Sequence, residues 1–327
     1  MGLRKFTVGL IIGLFGTTYA SDWYVDASAS SDGANGSELK PFKTIQAAVD
    51  AASANDTIRV AAGVYANGMT QVSNYSYARV YIHKKPGLRI IGAGRGKSFI
   101  VGSRDPNSNT NDDTLTETRT ELVRCVYVGN SDNVIIEGFT LRDGETFLGT
   151  DTTLGNRNGG GLLSSSSKAY IVDCDILHCC ARLGAGIYGG TAVRCLIKGN
   201  YGVSSIASRD ATLVNCILHE NVSKEAGSYS LSHNSSLYNC TVFDNTTKYA
   251  LQDSSKAYNS VIGLSSSSEF GDEAKNDPDK PDVLENCVLA STSRKGWRQF
   301  LRQHWAISGC FPIPMQSERE LQRIFQD

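Results

Sequence analysis

The sequence has almost no excess charge of either sign. Its 327 residues include 32 Lys and Arg and 33 Asp and Glu, which gives a formal net charge of −1 at pH 7. A protein that binds nucleic acid or anionic membranes without specificity needs surplus positive charge to neutralise phosphates. The balanced charge therefore excludes a general binder of either kind, and we expect no nucleic-acid partner.

Long apolar runs are also absent after the N-terminus. The N-terminal run, residues 8–15, is shorter than the roughly 20 residues of a membrane-spanning helix. It follows Arg4 and Lys5 and precedes the small and polar residues 17–20, which is the layout of a secretory signal. We therefore predict a signal peptide over residues 1–20, a secreted or cell-surface protein, and no transmembrane segment after cleavage.

Motifs of several functional classes are missing. The glycine-rich stretch from Gly92 to Lys97 lacks the spacing of a phosphate-binding loop and has no helix after it. Cys179 and Cys180 beside His178 have no second ligand pair at metal-binding spacing, which favours a structural role. No Ser/His/Asp nucleophile motif is present. The sequence thus gives no sign of nucleotide, structural-zinc or serine-hydrolase chemistry.

What the sequence does contain is a repeat marked by a small residue, usually cysteine. The aligned positions are Cys174, Cys195, Cys216, Cys240, Ser260 and Cys287, at intervals of 21, 21, 24, 20 and 27 residues. Apolar residues alternate around each position, as in Val172, Cys174 and Ile176, which is typical of a half-buried strand. No helical pattern separates the strands, which excludes βαβ units. A repeat of this length predicts one unit stacked on copies of itself, a parallel β-helix.

Nine cysteines in an exported protein usually indicate disulfides. Residues stacked on adjacent parallel strands, however, are about 4.8 Å apart and point the same way, which does not suit the geometry of an S–S bond. We therefore favour an internal ladder of reduced thiols. Its members are Cys174, Cys195, Cys216, Cys240 and Cys287.

Asparagines form a second ladder, five residues after the cysteine positions. Its members are Asn200, Asn221 and Asn245. Asparagine tolerates the left-handed backbone conformation that a sharp corner needs, and its side chain can bond to its own copy above and below. We therefore expect these residues to occupy corners of successive coils.

The repeat and its flanks predict the organisation of the chain. We expect an N-terminal cap and first coil over residues 21–65, including a short amphipathic helix with Thr44 as its N-cap. β-Helix coils follow over 66–290, with polar insertions at 103–121 and 142–160, where a solenoid usually carries its binding surfaces. Residues 291–327 form an atypical tail, which is either a native cap or a truncation. We expect a monomer.

Residues 32–65 have the sequence DGANGSELKPFKTIQAAVDAASANDTIRVAAGVY. They resemble the cap and first coil of a known group of proteins. These are the secreted bacterial right-handed parallel β-helix proteins of the pectin-lyase-like superfamily. The glycine-rich entries at residues 159–162 and 184–187, with the asparagine ladder, are similar to repeats of polymorphic surface and autotransporter proteins. The likeness covers about residues 23–289. It implies an all-β, right-handed parallel β-helix with a short N-terminal capping helix, but no single activity.

The resemblance also suggests where chemistry would lie. β-Helix lyases hold Ca²⁺ with carboxylates and use Arg or Lys to abstract the proton next to a uronate carboxylate. The outward positions that flank the cysteine ladder on three coils carry Asp173, Asp175, Arg194, Lys198, Asn215 and His219. The simpler interpretation is a solvated face on which Asp173 and Arg194 pair across coils.

In a lyase, the candidate catalytic residues are Arg194, Lys198 and His219. The candidate substrate-binding residues are Asp173, Asp175 and Asn215, and Asp173 and Asp175 would also hold Ca²⁺. Without lyase activity we expect no cofactor.

Two functions from different classes follow. The first is a secreted or surface-displayed β-helix protein that binds a polysaccharide or cell-surface glycan without catalysis. The alternative is a polysaccharide-degrading enzyme, either a Ca²⁺-dependent lyase or a glycosidase. The coils mainly expose Ser, Thr and Asn instead of concentrating acids and bases on one face, which favours binding. The sequence leaves open whether the protein is catalytic.

Overall fold

The computed structural model describes residues 20–73, 76–104, 122–146, 157–223, 230–264, 283–285 and 287–291. The segments 1–19, 105–121, 147–156 and 292–327 lie outside the described residues. The predictions for the signal peptide, for most of both insertions and for the C-terminal tail therefore stay predictions.

The described residues wind into a parallel β-helix along which four sheets run. Strands on successive turns pair in parallel, and within the described ranges one pair is antiparallel, between Thr70–Ser73 and Ser76–His83. Most strands are only two to four residues long, because the chain bends at a corner of the coil after each strand. This arrangement confirms the predicted all-β, right-handed parallel β-helix.

The sheets are named here by the number of strands that the structure describes. The ten-stranded sheet contains Asp22–Val25, Thr57–Val60, Arg89–Ile91, Ile135–Glu137, Tyr170–Val172, Thr191–Val193, Thr212–Val214, Ser236–Tyr238, Lys256–Tyr258 and Val283–Glu285. The nine-stranded sheet contains Gly63–Tyr65, Ser98–Val101, Thr140–Arg142, Asp175–Leu177, Leu196–Lys198, Ile217–His219, Thr241–Phe243, Val261–Leu264 and Val288–Ser291. The eight-stranded sheet contains Thr70–Ser73, Ser76–His83, Val123–Gly129, Leu162–Ser164, Ile187–Tyr188, Ser208–Arg209, Ser230–His233 and Tyr249–Gln252. The three-stranded sheet contains Cys180–Leu183, Tyr201–Ser204 and Val222–Ser223.

A helix, Ile45–Ala51, covers the N-terminal end of the stack. It begins at Thr44, whose Oγ1 accepts a hydrogen bond from the Ala47 amide at 3.2 Å, so the predicted N-cap is confirmed. The Gln46 side chain accepts from the Tyr81 amide at 2.7 Å and donates to the Tyr81 carbonyl at 3.2 Å. The helix thus supplies to Tyr81 the hydrogen bonds that a further strand would make.

A residue with left-handed backbone forms the corner between the ten-stranded and nine-stranded sheets. Its φ is +50° at Asp173 and +54° at Arg194. Because this residue redirects the chain, Ile171 before the corner and Cys174 after it both face the core, and both are fully buried. Val172 is only half-buried and faces outward. The expectation that Val172 shares the inward side with the cysteine was therefore wrong.

The cysteine ladder lies in the core directly after these corners. Each of its thiols contacts backbone carbonyls; the Sγ of Cys195, for example, lies 3.4 Å from the carbonyl oxygens of Ile171 and Val193. All eight described cysteines are free, and seven of them are buried. Burial raises the pKa of Cys174, Cys195 and Cys216 well above the ordinary value. The ladder is structural, as predicted.

The asparagine ladder is buried at the next corner. The Asn221 Nδ2 donates to the Ile197 carbonyl and to Asn245 Oδ1, both at 2.9 Å. Its Oδ1 accepts from the amide and the side chain of Asn200, at 3.1 and 2.9 Å. Bonding between copies is thus confirmed, but the left-handed conformation assigned to the asparagines was wrong. It belongs to the residues directly before them, which are Gly199, Glu220 and Asp244.

Replacement of a ladder asparagine is expected to destabilise the coil. Asn221→Ala leaves the buried Ile197 carbonyl and the polar groups of Asn200 and Asn245 without this partner. We expect a loss of about 2–4 kcal/mol in the free energy of unfolding. Urea denaturation measures this change. Asn67→Ala, at an exposed position, is the control and should cost less than about 0.5 kcal/mol; equal losses in both variants would contradict the role of the ladder.

The thiols are expected to be unreactive in the folded protein. Burial keeps the reagent away from these thiols. At Cys174, Cys195 and Cys216 a raised pKa also keeps the thiol protonated, and the thiolate is the reactive form. With Ellman's reagent at neutral pH, the seven buried cysteines should not react until the protein is denatured. All nine cysteines of the sequence should react in denaturant without reductant. Fewer than nine would mean that disulfides had formed.

Candidate functional site

Five of the six residues predicted as one charged cluster lie at two different corners, and the sixth, Asp175, begins a strand of the nine-stranded sheet. Asp173, Arg194 and Asn215 occupy the left-handed corner before the nine-stranded sheet. Lys198 and His219 end adjacent strands of that sheet and are paired neighbours in its register. The structure therefore brings together two smaller groups and not the single site that the alternation predicted.

At the first corner, Arg194 and Asp173 form a bidentate pair. The distances are 2.8 Å from Arg194 Nε to Asp173 Oδ1 and 2.5 Å from Nη2 to Oδ2. The hydrogen bonds with Asp173 raise the pKa of Arg194 above its ordinary value. A catalytic base must lose its proton, so this pairing opposes the role suggested for Arg194. It matches the simpler interpretation, a pair across coils.

Asp175 does not face solvent as expected, since it is 4% exposed. Its Oδ1 lies 3.8 Å from Arg95 Nη1, and its Oδ2 lies 3.5 Å from Thr140 Oγ1. Both carboxylates suggested for a calcium site are therefore beside an arginine, Asp173 beside Arg194 and Asp175 beside Arg95. A cation would have to compete with both guanidinium groups, and the two acids do not fit a shared Ca²⁺ site.

At the second corner, Lys198, His219, Glu220 and Asp244 form what we call the corner cluster. His219 is 1% exposed, which contradicts its expected outward, solvated position. Its ring stacks on Phe243 with centroids 4.2 Å apart. His219 Nε2 lies 3.1 Å from Glu220 Oε1, and Lys198 Nζ lies 3.5 Å from Glu220 Oε2. One ligand atom each from His219, Glu220 and Asp244 lies within 4.8 Å of the others.

Sequence reasoning found half of the corner cluster. Lys198 and His219 were predicted from their position after the cysteines, whereas Glu220 and Asp244 were missed. Both have left-handed backbone, with φ of +52° and +54°. The available signal was their place, one residue before Asn221 and Asn245. A carboxylate there projects from a corner, beside the last residue of the preceding strand.

A second surface, not found from the sequence, lies on the outer face of the eight-stranded sheet. We call it the outer column. It consists of Tyr81, Tyr127, Leu163, Tyr188, Arg209, His233 and Gln252, which pair directly from strand to strand. Their chain neighbours Ile82, Val128, Leu162 and Ile187 face the core, so the column faces outward. At about 4.8 Å per strand, seven positions extend over about 29 Å.

The N-terminal half of the outer column is aromatic. The rings of Tyr81 and Tyr127 stack with centroids 5.2 Å apart and an angle of 24° between their planes. Tyr188 follows two strands beyond Tyr127, and Leu163 fills the strand between them. Burial raises the pKa of both Tyr81 and Tyr188. The phenols of Tyr81 and Tyr188 therefore stay neutral, and all three tyrosines are half-buried.

The C-terminal half of the outer column is polar. His233 Nε2 lies 2.8 Å from Asp253 Oδ2. Arg209 Nε lies 3.7 Å from Asp210 Oδ2, whose other oxygen accepts from Asn234 at 2.8 Å. Burial first, and the positive charge of Arg209 second, lower the pKa of His233. The imidazole is therefore neutral near pH 7, beside a cation and a carboxylate.

This architecture defines the class of the protein: it has the right-handed parallel β-helix fold of pectin-lyase-like proteins. The chain belongs to the family described as "Protein of unknown function (DUF1565)", whose profile matches residues 29–222. It is similar to a pectin methylesterase mutant in complex with a hexasaccharide, with a TM-score of 0.53, 16% identity, and coverage of 83% of this chain and 91% of that chain.

Two further solved structures are similar. A pectin methylesterase in complex with another hexasaccharide has a TM-score of 0.51, 17% identity, and coverage of 83% and 91% of the two chains. A pectin methylesterase from carrot has a TM-score of 0.49, 15% identity, and coverage of 90% and 87%. At these identities the likeness shows the fold alone.

No curated protein sequence matches the chain. Within the described ranges, no helix has the length and apolar character needed to cross a membrane. The secreted and autotransporter character implied by the sequence resemblance stays a prediction.

The lowered pKa of His233 predicts a pH dependence. Because the folded pKa lies below the ordinary value of 6.5, folding favours the neutral ring. The neutral His233 ring contributes fully to the free energy of unfolding above the pKa that the residue has in the unfolded chain. This contribution is lost as the pH falls through the pKa of His233 in the folded protein. We expect His233→Gln to lose less unfolding free energy than the wild type between about pH 7 and pH 5. NMR titration should give a His233 pKa below 6.5; a value above it would contradict the assignment.

Proposed function

We propose that this protein binds a polysaccharide along the outer column. The observation that carries the proposal is the register: seven strands in succession place an aromatic, apolar or polar side chain at the same outward position. A repeating surface of this kind suits a ligand that also repeats. An extended sugar chain is such a ligand.

The two halves of the column provide the contacts that a sugar chain requires. Tyrosine offers a flat apolar ring with a polar tip, and its large area is ordered at low entropic cost. The faces of the Tyr81 and Tyr127 rings stack on each other, so these two rings can contact sugar rings with their outer edges, as can the ring of Tyr188. Arg209 and His233 add hydrogen-bonding groups at the polar end, where they can meet hydroxyl or carboxylate substituents.

The fold comparison supports a polysaccharide ligand in general terms. Two of the similar structures are pectin methylesterases in complex with hexasaccharides. A β-helix of this kind can hold an extended sugar chain, although the likeness carries over neither the sugar nor the reaction. We propose binding as the basic function and, from the layout of residues 1–20, a secreted or surface-displayed protein.

A second candidate function, a polysaccharide-degrading enzyme, is favoured by one observation. His233 is neutral, lies on the outer column and donates from Nε2 to Asp253 at 2.8 Å. Its basic nitrogen is then Nδ1, which is buried without a hydrogen-bond partner, so the ring must turn outward before it can act as a general base. The calcium-dependent lyase built on Arg194, Asp173 and Asp175 has less support, because all three side chains are beside groups of opposite charge. If the protein is an enzyme, His233 is the residue that we propose as its base.

Loss of the column tyrosines is expected to weaken binding. Tyr127→Ala and Tyr188→Ala should each raise the Kd for the polysaccharide about tenfold, because a buried aromatic contact contributes more than 1 kcal/mol. Homogalacturonan, alginate, xylan and cellulose serve as probes in affinity electrophoresis, followed by calorimetry with oligomers of the one that binds. Tyr238→Ala is the matched control, since this tyrosine is 39% exposed and stacks on Tyr258 on the ten-stranded sheet.

Two outcomes would count against the proposal. One is unchanged affinity in the double variant Tyr127→Ala/Tyr188→Ala, and the other is an equal loss in Tyr238→Ala. The same ligands, tested for unsaturated products and reducing ends, separate binding from catalysis. Turnover that is lost in His233→Gln while affinity is retained would favour the enzyme.

A further inference from the structure

The corner cluster contains a ligand set that the outer column does not use. His219 and Glu220 are consecutive on one coil, and Asp244 lies on the next coil, one residue after Phe243, the strand partner of His219. One nitrogen and two carboxylate oxygens lie within 4.8 Å of one another. Imidazole with carboxylates is a common set for zinc and related transition metals, whereas Ca²⁺ and Mg²⁺ prefer oxygen alone.

The contacts of His219 favour Nε2 as the ring nitrogen that binds a cation. Its Nδ1 lies 3.4 Å from the Phe243 carbonyl oxygen. A carbonyl can only accept, so this contact is a hydrogen bond in the tautomer that carries the hydrogen on Nδ1. In the neutral ring, Nε2 then has the lone pair and faces Glu220 Oε1 at 3.1 Å. A carbonyl partner for the second nitrogen is the usual arrangement around a metal-binding histidine.

Two lone pairs at this separation repel unless a cation lies between them. That cation is either a metal ion or a proton on Nε2, which gives an imidazolium or the neutral tautomer whose Nε2–H donates to Glu220. Two ligands of tetrahedral zinc, each about 2.0–2.2 Å from the metal, are roughly 3.4 Å apart. The observed 3.1 Å from Nε2 to Oε1 is close to that value. Stacking on Phe243 holds the ring at this orientation.

Lys198 supports the same arrangement from the other side. Its Nζ lies 3.5 Å from Glu220 Oε2, so it pairs with the oxygen that does not face His219. A metal on Oε1 would leave this contact in place. The two carboxylates and Lys198 together carry one negative charge, which a divalent ion would more than neutralise in a half-buried corner.

We propose that His219, Glu220 and Asp244 bind a divalent transition-metal ion such as Zn²⁺ at the corner between the nine-stranded and three-stranded sheets. Lys198 positions Glu220 and is not itself a ligand. The ion links two successive coils, so its binding stabilises the fold. The site lies on a different sheet from the outer column and does not depend on the polysaccharide proposal.

The test is metal binding to the folded protein after treatment with a chelator. Co²⁺ is the first probe, because its visible spectrum distinguishes nitrogen and oxygen ligands from thiolates, and the cysteines are the competing ligands. Zn²⁺ calorimetry then gives stoichiometry and affinity. We expect one site per chain, no sulfur-to-metal charge-transfer band, and a rise in melting temperature on addition of Zn²⁺.

Three variants make the test specific. Asp244→Asn keeps a residue that tolerates the left-handed φ of +54°, and it should weaken binding by roughly 10- to 100-fold or more. Glu220→Gln should do the same. His233→Gln is the matched control, because that histidine also lies beside a carboxylate, at 2.8 Å, but belongs to no group of three ligands among the described residues.

The proposal is overturned if Asp244→Asn and Glu220→Gln, both folded by circular dichroism, bind Zn²⁺ as the wild type does. It is also overturned if the wild type binds no metal; NMR should then show a proton on His219 Nε2, at the position assigned to the metal. Loss of the site in His233→Gln alone would place the metal on the outer column instead.

Discussion

The coils from Gly138 to Asn259 each depend on one left-handed residue at the corner between the ten-stranded and nine-stranded sheets. This residue turns the chain within a single position, so the strands on both sides keep their parallel hydrogen bonds to neighbouring coils. The next residue then points into the core, where a small side chain such as cysteine fits. Left-handed backbone is unfavourable for most residues but tolerated by Asp and Asn, which occupy this position as Asp173 and Asn215. Arg194 also has left-handed backbone, which is less favourable for Arg than for Asp or Asn. In this conformation its side chain makes the bidentate contact with Asp173.

The second corner explains why polar side chains gather where they do. The left-handed residues Glu220 and Asp244 leave the strand at an angle, so their carboxylates lie beside the last residue of the preceding strand instead of following its alternation. His219 is that residue for Glu220. The asparagine ladder behind them holds this corner rigid through buried side-chain hydrogen bonds. A fixed backbone and adjacent polar groups together make the corner suitable for binding an ion.

The parts of the fold that repeat could be predicted from the sequence, because their signal is periodic. The cysteine spacing predicted the length of one coil, the asparagine spacing predicted the second ladder, and Thr44 predicted where the helix begins. The errors came from reading one strand across Asp173, where the structure has two strands and a corner. Outward assignments after that point were therefore unreliable, as Asp175 and His219 show. The outer column was missed because Ile187–Tyr188 and Ser208–Arg209 are two-residue strands, too short for any alternation to be read.

The register between coils also depends on distances that a single sequence does not reveal. Tyr188 and Arg209 are 21 residues apart, but Arg209 and His233 are 24 residues apart. A repeat of constant length would therefore not have placed these three residues at the same position of successive coils. Backbone pairing nevertheless places Arg209 directly beside His233. Gly186 shows how tightly the coils are packed there, because a Cβ at this position would lie 2.6 Å from the Ala207 carbonyl oxygen.

The stacking of coils has a consequence for how such a protein can diverge. Among the described residues, the strands of each coil pair with strands of the coils above and below it. A duplication or deletion of one complete unit, such as the 21 residues from one cysteine to the next, therefore lets the remaining coils stack in the same way. The outer column would become one position longer or shorter without a change at any single residue. Preference for ligands of different length could then evolve by a change in copy number, with no new chemistry.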